Sequence, residues 1–134
     1  MTTASRPRRT ARPKIVIDAA QLSHLEALAD GAMQRMPEMA DRLLDELARA
    51  RVVESAKLPD DIVAIGRKVT WRDESSGKEQ SGTLVWPEEA DIAQGRISVA
   101  TPIGVALIGL PAGARFTWET RGGEERDLTV ISVE

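Results

Sequence analysis

The 134-residue chain has no cysteine and no tyrosine, one phenylalanine and one histidine. Without cysteine there is neither a disulfide framework nor a thiolate metal site, which fits a cytoplasmic protein. The lone histidine, His24, has no partner histidine for metal ligation, and no Ser–His–Asp arrangement can be built around it. Beside the leucines of its own segment it reads as a surface or interface side chain. Aromatic residues make up only 3% of the chain, too few for an aromatic-lined pocket or a platform on which single-stranded bases stack. Trp71, Trp86 and Trp118 therefore read as sheet packing. No apolar run approaches the roughly 18 residues of a membrane span, and the charged N-terminus is followed by no apolar secretory segment. Phosphate-binding Walker loops and G-x-G-x-x-G turns are also missing, so no cofactor is implied.

Charge is present but uneven. Residues 1–14 hold Arg6, Arg8, Arg9, Arg12 and Lys14 and no acid. Those five bases leave 13 of the 18 for the rest of the chain, against 21 acids, a balance of −8. Such an acidic body is repelled by a phosphate backbone. The Pro/Arg-rich residues 1–14 lack apolar periodicity and read as a disordered, solubilising tail, with weak sequence-blind nucleic-acid contact through its arginines as the alternative.

Two periodicities divide the remainder. After Ile15-Val16-Ile17, Asp18 offers a side-chain oxygen to the backbone with Gln21 three residues on, a capping-box-like start. Leu22, Leu25, Leu28, Ala29 and Ala32 recur at helical spacing, and Gly31 is expected to end this first helix near residue 30. Pro37 suits the first turn of a second helix, whose apolar stripe is Met39, Ala40, Leu43, Leu44, Leu47 and Ala50. Its wet side carries Arg35, Glu38, Asp41, Arg42, Asp45, Glu46 and Arg49. Two such helices joined by a short turn fold back as an antiparallel hairpin over residues 15–54.

Beyond a connector containing Pro59 the period becomes two. Strands are expected at 69–73, 83–86, 96–99, 115–120 and 128–133, with turns at 74–77 and Gly122-Gly123. Between the third and fourth, Thr101 caps a short helix that Pro102 starts. The fold class is α+β: a helical hairpin over residues 15–54, then a small, largely antiparallel sheet with one short helix over residues 55–134.

Carboxylates are the remaining candidates for chemistry. Asp30 lies near the hairpin tip, and Glu38 and Asp41 lie three apart at the start of the second helix. The latter pair could share a divalent cation with a second macromolecule. Its plainer role is favourable charge near a helix N-terminus.

The stretch "ISVATPIGVALIGLPAG", followed by a strand, a Gly-Gly turn and a last strand, resembles the C-terminal domain of the Gre transcript-cleavage factors. Thr101-Pro102 stands where that family has Ser-Pro, with Leu107-Ile108-Gly109 after it. "IVIDAAQLSHLEAL", "LPDDIVAIGRKVTWRD" and "LVWPEEAD" extend the resemblance over residues 14–134, in the order and spacing of the Rnk branch of the family. The resemblance implies an FKBP-like C-terminal domain, a short coiled-coil arm, and RNA polymerase as the partner, bound at the entrance of its secondary channel. Carried over from it, Ala100, Thr101, Pro102 and Ile103 are the polymerase-contacting positions.

One departure sets the expected function. Gre factors carry an Asp-Leu-Arg-Glu-Asn-Ala-Glu-like acidic tip on a long arm, whereas the tip here is "DGAMQRMPEMAD". A second helix from Pro37 to Val53 would be about 25 Å long at 1.5 Å per residue. Carboxylates that cannot reach a catalytic metal cannot orient it or its water. The expectation is a non-enzymatic regulator that competes with Gre factors without stimulating cleavage, and that has neither a small-molecule substrate nor a membrane partner. Two alternatives stand beside it. One is direct control of a nucleoside diphosphate kinase, as the Rnk name implies. The other is prolyl isomerisation on an FKBP-like sheet, which fold alone does not confer.

Overall fold

The computed structural model describes residues 13–119 and 123–134, of Trp118 and Glu119 the backbone only. The arginine-rich residues 6–12, the Trp118 side chain and Gly122 of the Gly-Gly turn lie outside the described residues.

A three-residue strand β1 (Val16–Asp18) leads into helix α1 (Ala19–Ala32). The Asp18 side chain caps α1 by accepting from Ala20 N at 2.8 Å. Gln21 does not close a capping box; its side chain instead exchanges two hydrogen bonds of 3.4 Å with the Ile65 backbone, tying α1 to the second half of the chain. Gly31 does not end the helix. It sits inside α1, and the end comes at Met33, whose N–H donates to Asp30 O. Residues 33–36 turn the chain into α2 (Pro37–Arg49), which Pro37 opens at a position where its missing N–H has no helical partner anyway.

α2 stops four residues before the expected Val53. Arg51–Val53 form β2, which pairs in parallel with β1, Ile17 opposite Val52. The Ala50 backbone is extended, with φ −76° and ψ 148°. The thirteen helical residues span about 20 Å. Leu25, Ala29 and Ala32 of α1 and Ala40, Leu43 and Leu47 of α2 are buried, as their spacing requires. Glu46 corrects the sequence reading. It is only 5% exposed, and its carboxylate accepts from Arg49 Nη2 at 2.6 Å and Nε at 3.0 Å. A buried charge persists where it is paired and hydrogen-bonded.

The second half is a five-stranded sheet in the order β5-β4-β3-β7-β6. Its strands are β3 (Lys68–Asp73), β4 (Glu79–Val85), β5 (Arg96–Ser98), β6 (Arg115–Glu119) and β7 (Glu125–Val133). All pairs are antiparallel except β4–β5, which is parallel and needs the crossover of residues 86–95. A register shift between Thr70 and Trp71 interrupts the β3–β7 ladder. Helix α3 (Pro102–Leu107) lies between α2 and β6. One buried cluster joins the two halves: Ile15, Leu25, Leu43 and Leu47 pack with Val63, Val69, Trp71, Leu84, Val105, Leu107, Ile108 and Val130. No helix among the described residues is long and apolar enough to cross a membrane.

Candidate protein-docking site

The turn from Ser98 to Ile103 is built by local chemistry. Thr101 is extended, at φ −130° and ψ 160°. Its Oγ1 accepts from Gly104 N at 3.0 Å and donates to Ser98 O at 2.8 Å. Ser98 Oγ accepts from Ala100 N at 2.9 Å. Pro102 supplies the first helical residue with φ already set. Every polar group named here is held by a neighbour two or three residues away, so the turn is rigid before anything touches it. Ala100, Thr101, Pro102 and Ile103 are contiguous and all half-buried, leaving a part of each open to solvent.

The residues after Ile103 anchor the turn. A Cβ on Gly104 would lie 2.4 Å from Ser98 O and 2.7 Å from Val99 Cα, so only glycine lets α3 press this closely on the strand end. Val105, Leu107 and Ile108 are buried below it. Gly109 then turns with φ +84°, a left-handed conformation, where a Cβ would meet Ile15 Cβ at 2.8 Å. Its N–H donates to Val63 O at 2.8 Å, and its carbonyl accepts from Val16 N at 3.0 Å. Residues 108–111 thereby stitch the base of the hairpin to the sheet side.

The hairpin tip is a separate place. Asp30 near the end of α1 and Glu38 and Asp41 on α2 are all exposed. The turn between the helices, Met33-Gln34-Arg35-Met36, contains no carboxylate. Among the described residues no three His, Asp or Glu side chains come together in a way that could hold a metal ion.

Two features escaped sequence reasoning. The His24 ring stacks on Trp86, with centroids 3.7 Å apart and planes 20° from parallel. Together with the Gln21–Ile65 bonds this fixes α1 against the end of β4. The other is a charge cluster at the far end of the sheet. There a shallow cleft of about 390 Å³ is lined by Glu74, Ser75, Arg115, Glu125, Arg126 and Asp127. Asp73 accepts from Arg126 Nη1 at 2.6 Å, and Glu74 accepts from Arg72 Nη2 at 3.2 Å and from the Thr129 hydroxyl. Neither feature has a local sequence signal, because each joins segments more than fifty residues apart.

Hydrogen bonds from the Ser75 hydroxyl and N–H, then Arg126, hold the Asp73 carboxyl down at about 2. The Thr129 hydroxyl and Arg72 lower Glu74. Both carboxyls are lowered in the folded state relative to the unfolded chain, so each contributes stability that is present above its unfolded pKa; for Asp73 it is complete by about pH 5 and is lost as pH falls through about 2. Thermal melts between pH 5 and pH 2 should fall more steeply for the native chain than for Asp73→Asn. Equal slopes would show that the cluster contributes nothing.

Residues 58–134 match the family described as transcription elongation factor GreA/GreB, C-terminal, and residues 13–53 match the Rnk N-terminus. The chain belongs to the GreA/GreB family, in its Rnk branch. The regulator of nucleoside diphosphate kinase of Escherichia coli K12 is 32% identical over 123 residues, covering 92% of this chain and 90% of that one. The transcription elongation factor GreA of Brucella canis is 36% identical over 94 residues, 70% of this chain but 59% of the relative's length. A solved GreA/GreB elongation factor from Nitrosomonas europaea superposes with a TM-score of 0.71 at 34% identity, covering 91% of this chain and 98% of that chain. The GreA/GreB match takes in α3, the whole sheet and the Ser98–Ile103 turn. The Rnk match takes in β1, the hairpin and β2. The α+β architecture expected from the sequence is the one this family has.

Proposed function

We propose that this chain is a non-catalytic regulator of RNA polymerase. It docks through Ala100, Thr101, Pro102 and Ile103 at the entrance of the secondary channel and competes there with Gre factors. Two things support the polymerase as partner: the Gre-type second half, and relatives named as transcription elongation factors. A cytoplasmic location is part of the same proposal. The rigid turn fits a docking role, since a preorganised surface loses little conformational freedom on binding.

The observation that carries the absence of cleavage is the hairpin. Its second helix is about 20 Å long, and the turn at its end bears no carboxylate. Acceleration of RNA hydrolysis by an inserted arm requires carboxylates placed at the metal and its water, within about an ångström of the productive position. Asp30, Glu38 and Asp41 lie in the helical turns next to the tip and not in the turn itself. The arm therefore occupies the channel and leaves the chemistry unassisted.

The test combines binding and cleavage. The purified chain should bind core RNA polymerase, be displaced by a GreA protein, and leave the rate of RNA hydrolysis in backtracked complexes unchanged. No binding at micromolar concentration would refute the docking reading. Accelerated hydrolysis that disappears in Glu38→Gln or Asp41→Asn would refute the passive arm. The name of the Escherichia coli relative supports a second reading, direct contact with a nucleoside diphosphate kinase. Co-purification of that enzyme with the chain would favour it.

A further inference from the structure

The outer face of α2 carries a row of carboxylates without partners. At about 100° per residue, positions 38, 41, 45 and 49 fall within an arc of roughly 80° on the helix surface. Glu38, Asp41 and Asp45 are exposed, and among the described residues no hydrogen bond or ion pair engages any of them. The fourth position of the row is Arg49, at the base of the helix. Its Nη1 donates to the carbonyl of Pro13 at 2.7 Å. The N-terminal segment is thus fastened to the same line of α2 that bears the acids.

Twelve residues precede Pro13, and their only charged side chains are Arg6, Arg8, Arg9 and Arg12. At about 3.3 Å per residue they reach up to about 40 Å, twice the length of α2. We infer that residues 1–12 of this same chain are the occupant of the Glu38–Asp41–Asp45 face. Anchorage at Arg49, sufficient length and opposite charge carry the assignment together. Single exposed ion pairs are weak and screened by salt. Tethering makes their formation intramolecular, so several can form in turn without a diffusional search. The arginines then cover the acidic face of the arm and neutralise it.

The absence of cysteine makes the test clean. A nitroxide on Ser5→Cys in the full chain is unique, and its line broadening can be read on the amides of α2. At about 0.01 M salt the signals of residues 38–45 should lose roughly half their intensity or more, and recover near 1 M, where the screening length shrinks from about 30 Å to about 3 Å. The doubly reversed variant Asp41→Lys, Asp45→Lys, checked for an unchanged fold by its melting curve, should abolish the loss. Unaffected signals at low salt would overturn the proposal, as would losses that persist in the reversed variant. Broadening seen only between labelled and isotope-labelled copies assigns the face to a second molecule's tail and overturns it too. So does a tail that leaves α2 untouched while binding nucleic acid in a salt-dependent way.

Discussion

Gly104→Ala should lower the melting temperature of this chain by roughly 10 °C. The added carbon would stand 2.4 Å from Ser98 O and 2.7 Å from Val99 Cα, both backbone atoms. A flexible side chain could swing aside, but a strand end tied into the sheet through Val99 N and Val85 O at 2.9 Å cannot. The helix must move instead, and it sits on Val105, Leu107 and Ile108, all buried. Overpacking of this kind costs about 1–3 kcal/mol, and backbone neighbours put it at the upper end. For a domain of this size about 1 kcal/mol corresponds to roughly 4 °C. Thr101→Ala is the smaller comparison: it removes an N-cap and should cost about 1 kcal/mol. Gly31→Ala is the control. Gly31 has nothing within 4 Å of its added carbon and lies inside α1, so alanine there should stabilise by about 0.4–1 kcal/mol. A melt in which the alanine at 104 is tolerated as well as the one at 31 would mean that α3 is not pinned where it lies.

The same residues show how much was legible in advance. Thr101, Pro102 and Gly104 form a turn whose capping bonds run over two or three positions, so spacing alone announced it. Strand starts were readable for β3, β5 and β6 to within one residue, while β4 and β7 begin four and three residues before their expected starts. Several failures occur where a distant segment decides. Leu43, Leu44, Leu47 and Ala50 continue a helical stripe toward Val53, yet α2 stops because Arg51–Val53 find β1 as a parallel partner. Gly31 reads as a helix end, but a glycine that meets nothing passes through a helix at modest cost. Gln21 has the spacing of a capping box and spends its amide on Ile65 instead. Glu46 lies on a formally wet face and is buried against Arg49. At the proposed docking site the Thr101 cap and the Pro102 helix start were readable from spacing, whereas the choice of Ala100, Thr101, Pro102 and Ile103 as contact positions came from the family resemblance. The His24–Trp86 stack and the Asp73–Arg126 pair were not readable, since contact between remote positions leaves no trace in local period.

Leu43→Ala should be about as damaging, and it tests whether the hairpin stands alone. Leu43 is fully buried on α2, in the same cluster as Leu107 and Ile108 beside α3 and Val63, Leu128 and Val130 from the sheet side. Truncating a buried leucine costs about 2–5 kcal/mol, set by how far the surroundings collapse. Here α2 is packed against both α1 and α3, so collapse is restricted and a loss near 3 kcal/mol is expected. The mode of unfolding is the sharper observable. If the arm and the sheet share one core, native chain and variant each melt in a single transition, with the helical signal and the fluorescence of Trp71 and Trp86 moving together. An arm held only at its base would lose its helical signal and the His24–Trp86 stack first in the variant, while Trp71 on β3 stayed native. Coincident transitions mean that the arm is fixed by the shared core in the free protein. In the proposed docking, the length of α2 then sets how deep its tip can go.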